Sequence, residues 1–305
     1  MLIRRRPTRG ESGLLTIGTR STQRAAGTNT GRGATLERGQ TPRLDVIDSK
    51  SPNLARMTNY LLGGKDHYGA DREACERLTQ IVPEAPRVAQ AAHRFLLRAT
   101  SHLAHDHQVR QYVVFGAGLP TSVGVHHVAR RIQAGARTVY ADHDPLALVH
   151  GRALWEDRYT LVMRAAPAES LALLKSAAVR EMIDFSSPVA VLLVSGLHNV
   201  PEGAGPSTVL QQAARILASG SFIAASHLVS EDAEVRRKAG ALLREAAAGR
   251  WGRVRPREDV NAFFDGLQQM TPGLVDVHQW RPGGDRAAGG GSLRWAEHGA
   301  VAVVP

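Results

Sequence analysis

Hydrophobic positions along the chain fall into two recurring patterns. Short continuous runs of aliphatic and β-branched residues predict buried strands at Gln111–Phe115, Thr138–Asp142, Thr160–Arg164, Pro188–Ser195, Ser221–Ser226, Leu274–Trp280 and Ala300–Val304. Between them, apolar residues return every three or four positions, as on a helix with one buried face. This spacing predicts helices over Thr121–Gln133, Pro145–Trp155, Ala168–Ile183 (two short pieces), Thr208–Leu217, 231–247 and 257–268. Three more helices are expected before the first strand. One is capped by Ser51 with Pro52 in its first turn, and Gly63–Gly64 stop it. A second runs from near Asp71 through Leu78. The third covers Glu84–Ala104, with Val88, Ala92, Phe95, Leu96, Ala99 and Leu103 in one stripe. Strands alternating with helices imply a doubly wound, mostly parallel α/β sheet joined by right-handed crossovers. The expected organisation is a leader over residues 1–48, a helical cap over 49–108 and the α/β domain over 109–305.

At 305 residues the chain can bury a full core. The net charge of +10 and pI near 10.5 would suit an anionic partner. Much of that excess lies in the first fifty residues, at Arg4, Arg5, Arg6, Arg9, Arg20, Arg24, Arg32, Arg38 and Arg43. That segment has no apolar period and reads as a disordered, solvated leader, with a nucleic-acid arm as the alternative. Aromatics make up 5% of residues, too few for a base-stacking surface on the folded domain. A single cysteine, Cys75, excludes an internal disulfide and a multi-cysteine metal site. His102, His105 and His107 cluster at a helix end without a completing carboxylate or thiol set, so no metal is expected. No apolar run reaches membrane-spanning length, and the N-terminus lacks a secretory pattern. A cytoplasmic protein is expected.

The first strand ends in Gly116-Ala117-Gly118, and the second ends in Asp142. Glycines there let backbone approach a ligand closely, and a carboxylate on the neighbouring strand can accept both ribose hydroxyls. Together they indicate a nucleoside-bearing ligand. A dinucleotide wants a third glycine and free amides for its pyrophosphate. This chain has no third glycine, and Pro120 removes a donor. S-adenosylmethionine, with a ribose but no phosphate, fits better.

The ordered set of motifs then resembles a known family. Leu61–Glu73 (Leu-Leu-Gly-Gly-Lys-Asp-His-Tyr-Gly-Ala-Asp-Arg-Glu), His93–Arg98, Gly116–Pro120, Val139–Pro145, Leu192–Pro201 and Pro272–Pro282 are similar to the signatures of an actinobacterial S-adenosylmethionine-dependent methyltransferase family, formerly a domain of unknown function. The resemblance implies a seven-stranded, Rossmann-like methyltransferase fold with its last strand antiparallel, and S-adenosylmethionine as cofactor. The chain departs from the pattern twice. Val114 stands where the family resembles an acid, and Met163-Arg-Ala-Ala-Pro167 replaces an acidic run after the third strand.

Candidate cofactor contacts are Gly64, Lys65, Arg94, Gly116, Ala117, Gly118, Asp142, His143 and Ser195, with Lys65 and Arg94 as cations for the methionyl carboxylate. His198, in the loop after the fourth strand, is the candidate general base, and His227 the second choice. The Ser195–Pro201 loop lacks the Asn-Pro-Pro-Tyr pattern that resembles base-methylating enzymes, so a small-molecule acceptor is expected. The alternatives are a cofactor-binding regulatory protein without turnover, and a nucleic-acid binder acting through the leader.

Overall fold

The computed structural model describes residues 47–248, 250–282 and 294–305. The expected disordered leader, up to residue 46, and the glycine-rich hairpin Gly283–Gly291 lie outside them.

Five strands and their crossover helices build the parallel part of the sheet. They are β1 (Gln111–Phe115), β2 (Arg137–Asp142), β3 (Thr160–Arg164), β4 (Ala190–Leu193) and β5 (Phe222–Val229). The sheet continues through β6 (Gln268–Gln269), β7 (Val275–Asp276) and β8 (Ala296–Val303). Its order is β3-β2-β1-β4-β5-β8-β6. β8 runs antiparallel to β5, from Phe222 opposite Val303 to Val229 opposite Ala296. The seventh column is one edge strand in two pieces: β6 pairs with the Val303 end of β8 and β7 with its Gly299 end. That break replaces the single strand expected over Leu274–Trp280, and β6 had no apolar run to announce it.

α1 (Leu54–Leu61), α2 (Gly69–Ile81) and α3 (Ala85–Asp106) precede the sheet. α4 (Val125–Ile132), α5 (Pro145–Trp155), α6 (Ser170–Lys175), α7 (Ala177–Met182), α8 (Pro206–Ala214), α9 (Ala233–Ala246) and α10 (Arg257–Asn261) follow in turn. The N-cap of α1 is Asn53 rather than Ser51: its side chain accepts the amides of Ala55 and Arg56. The Ser51 carbonyl is instead taken by Arg56. α4 starts four residues later than expected. Its first turn is set from outside, because the Tyr140 hydroxyl on β2 accepts the His126 amide. A Cβ on Gly124 would lie 2.9 Å from that hydroxyl.

One apolar cluster, with Val113, Phe115, Val191 and Ile223, fills one face of the sheet under α6, α7 and α8. The other face holds Tyr112, Val114, Leu192 and Ala224, joined by Phe95, Ala99 and Leu103 of α3. α3 thus belongs to the sheet's own core. α1, α2 and α9 meet in a third cluster around Met57, Leu78, Leu242 and Trp251. Among the described residues no helix is long and apolar enough to cross a membrane.

Candidate functional site

The carboxyl ends of β1, β2 and β4 open into a cavity of about 210 Å³. The parallel register puts these ends side by side: Phe115 lies opposite Ala141, and Val114 opposite Leu192. Gly116 and Gly118 both have left-handed backbone, with φ of +68° and +66°. A Cβ on either would meet open space, so the turn leaves a hollow that a side chain would fill. The amides of Gly116 and Ala117 donate to the Ala141 carbonyl, tying the turn to β2.

Asp142 completes this floor. Its Oδ2 accepts the Gly118 amide at 2.8 Å and its Oδ1 the Asp144 amide at 2.8 Å. Burial raises its pKa above the usual carboxylate range, opposed by His143 and the two amides. Asp144 in turn caps α5 through the Ala147 amide and accepts the Asn53 side-chain amide at 2.7 Å. α1 is thereby fastened across the cavity mouth, and Asn53, Thr58 and Asn59 line it.

On the β4 side, Ser195 leaves the strand with φ of +52°, which ends β4 two residues earlier than its apolar run. Its amide donates to Ser226 Oγ at 2.8 Å. Its own Oγ donates to Glu297 at 2.8 Å, and Ser226 Oγ donates to the same carboxylate. Burial pushes Glu297 up to about 6, although the serine hydrogen bonds pull the other way. A carboxyl whose folded value exceeds its ordinary 4.5 contributes stability that is complete below pH 4.5 and lost as pH rises through about 6. That loss is about 2 kcal/mol. The variant Glu297→Gln should therefore gain about 2 kcal/mol on the native chain between pH 4.5 and 7, measured by thermal melts at both values.

Gly116, Ala117, Gly118, Asp142, His143 and Ser195 all line the cavity. Gly64, Lys65 and Arg94 do not. Lys65 and Arg94 point to solvent from the outer surface. Gly64 acts one step back: a Cβ there would strike the Asn59 side chain at 2.4 Å, so this glycine makes room for a cavity residue.

His198 also falls outside the lining and is corrected as a candidate base. Its Nδ1 accepts the Leu228 amide, and its ring lies 5.0 Å from Trp251. Burial, aided by Arg255, pushes it down to about 3. His227 is likewise buried, lowered by burial, with Arg255 against its Nε2.

The lining also holds residues that were not expected there, His93 and Arg250 among them. His93, one position before the favoured Arg94, is half-buried with its basicity lowered by burial. Arg250 reaches the rim from the basic loop after α9. That loop is seated by Gly252, whose amide donates to the His198 carbonyl and whose Cβ would lie 2.3 Å from the Val200 carbonyl. A basic loop next to a tryptophan was the sequence signal for it.

A family model described as S-adenosyl methyltransferase matches residues 40–305. The chain belongs to the S-adenosyl methyltransferase family. Two solved structures resemble this family member over nearly their whole length. A candidate methyltransferase from Thermobifida fusca is 30% identical, with 87% of this chain and 99% of that one covered and a TM-score of 0.78. A DUF574 family protein from Streptomyces avermitilis is 31% identical, with 85% and 99% covered and a TM-score of 0.77. No curated protein sequence matches the chain. The methyltransferase assignment makes this an enzyme with S-adenosylmethionine as cofactor.

Proposed function

We propose that the chain transfers a methyl group from S-adenosylmethionine to a small molecule within the cavity over β1. The observation that carries this reading is the continuous lining from Asp142, across the left-handed glycine turn, to Ser195. When bound, the cofactor supplies an electrophilic methyl group on sulfur. Asp142 has a second lone pair on each oxygen beyond its two amide bonds, and these suit ribose hydroxyls. Gly116–Gly118 suits the methionyl arm because no Cβ intrudes.

Arg250 replaces Lys65 and Arg94 as the cation for the carboxylate, since it lines the cavity and they do not. His93 replaces His198 as the group to take a proton from an acceptor. It lies in the lining, and its lowered basicity leaves the ring neutral and able to accept. The rim closed by α1 and Asn53 favours a small acceptor over a nucleic acid. A cytoplasmic setting belongs to the same reading, from the lone buried thiol of Cys75.

Calorimetric titration with S-adenosylmethionine, followed by label transfer to a panel of small hydroxyl, amine and thiol nucleophiles and to duplex DNA, tests it. Transfer to DNA alone would overturn the small-molecule reading. Arg250→Ala should weaken S-adenosylmethionine about tenfold, the size of a lost charge-assisted hydrogen bond. The same variant should leave 5′-methylthioadenosine, which has no carboxylate, unchanged.

A further inference from the structure

The β1 side of the cavity offers no carboxylate: Val114 and Ala117 present only apolar groups there. The end of β4 is the opposite. Glu297 is fully buried behind Ser195, and no Lys or Arg pairs with it among the described residues. Asp276 on β7 is the charge acting on it most, and it repels. His227 on β5 and His298 beside it on β8 both have their basicity lowered by burial.

Two polar atoms in front of this carboxylate can accept from the cavity. Ser195 Oγ gives its proton to Glu297 and so can only accept from the cavity. Asn199, also in the lining, donates one Nδ2 hydrogen to the Ser195 carbonyl. Its Oδ1 is left buried without a partner among the described residues. A buried carboxylate with no cationic partner, behind one unmet acceptor and one hydroxyl oxygen that can still accept, is a costly arrangement unless a cation with several N–H groups completes it.

We propose that the end of β4 is an ammonium subsite, which holds the amino group of the cofactor's methionyl arm with Glu297 as buried counter-charge acting through Ser195. This assignment rests on the methyltransferase reading and deepens it. Sheet order gives the ligand its direction. Asp142 ends β2, the glycine turn follows β1 and Ser195 follows β4, and these are neighbouring strands about 4.8 Å apart. A ribose at Asp142 therefore sends its 5′ arm across the turn to Ser195. An ammonium carries three donors and no acceptor, the complement of this cluster. Glu297 is a positioning residue here, since it meets the ligand through a hydroxyl.

The test titrates S-adenosylhomocysteine, which keeps the ammonium and lacks the sulfonium, S-adenosylmethionine, which has both, and 5′-methylthioadenosine, which has neither. Glu297→Gln and Ser195→Ala should each weaken S-adenosylhomocysteine about tenfold or more, the cost of a lost charge-assisted contact. Both should leave 5′-methylthioadenosine within about twofold. The native chain should lose S-adenosylhomocysteine affinity between about pH 7.5 and 5.5 as the carboxylate takes up a proton, and Glu297→Gln should not. Unchanged S-adenosylhomocysteine affinity in both variants would overturn the subsite. So would an equal loss of 5′-methylthioadenosine, which marks a general deformation of the cavity. Weakening of S-adenosylmethionine alone would move the counter-charge to the sulfonium and overturn the ammonium assignment. If the native chain bound none of the three, the methyltransferase reading would fail first.

Discussion

Asp142→Ala should lower the affinity for S-adenosylmethionine by about a hundredfold or more, the largest binding effect expected of a single side chain here. The carboxylate does two jobs. It is the proposed ribose acceptor, and it already holds the Gly118 and Asp144 amides at 2.8 Å each. Alanine removes both bonds and leaves two backbone donors beside a buried position without partners. Each such loss costs about 1–3 kcal/mol. The glycine turn then loses its tie to β2 on one side, and Asp144 loses a bond that sets the start of α5 and the anchor of Asn53. Asp142→Asn should be milder, about tenfold, because its one carbonyl oxygen can serve one of the two amides. Calorimetry with S-adenosylmethionine and a ligand-free melt should be read together. A lowered melting temperature with unchanged affinity would mean that Asp142 serves the loop alone.

The largest stability effect is expected at Arg56. Its Nε donates to Asp71 at 2.7 Å, and its side chain and that of Asp71 are 4% and 0% exposed. The guanidinium also donates to the Asp48 and Ser51 carbonyls, and its carbon lies 5.1 Å from the Tyr68 ring centre. Asp71 meanwhile accepts the Asn53 and Tyr68 amides. Arg56→Ala strands a buried carboxylate, and breaking a buried pair from one side costs about 3–5 kcal/mol. For a chain of this size that corresponds to a melting temperature lower by roughly 10 °C. S-adenosylmethionine affinity should fall with it, since α1 supplies Asn53, Thr58 and Asn59 to the cavity. A melting temperature within about 2 °C of the native value would show that the pair is a passive surface feature despite its burial.

Much of the fold was legible because it is written locally. Gln111–Phe115 and Thr160–Arg164 are strands at the bounds their apolar runs gave, and Pro145–Trp155 is the expected helix. Pro145 fixes its first turn and Asp144 caps it, both within a few residues of sequence. Reading failed where a distant group sets the boundary. Thr121 to Gly124 scan as helix, yet the Tyr140 hydroxyl holds the start of α4 at Val125. The Pro188–Ser195 run reads as one long strand, but Ser195 turns left-handed to reach Ser226 and Glu297.

The site divides along the same line. The amino-acid sequence by itself determined the strand, the glycine turn and the acid at the end of the next strand, because a parallel sheet places consecutive strand ends together by rule. Only the tertiary structure decided which charged groups reach the cavity. Lys65 and Arg94 turn outward while Arg250 comes to the rim, and His198 is sealed against Trp251. Glu297 meets Ser195 across 102 positions of chain, in an antiparallel register that no local pattern encodes. Propensity and periodicity act over a few residues. A side chain's burial, and so its charge and its use, depends on what the rest of the fold brings beside it.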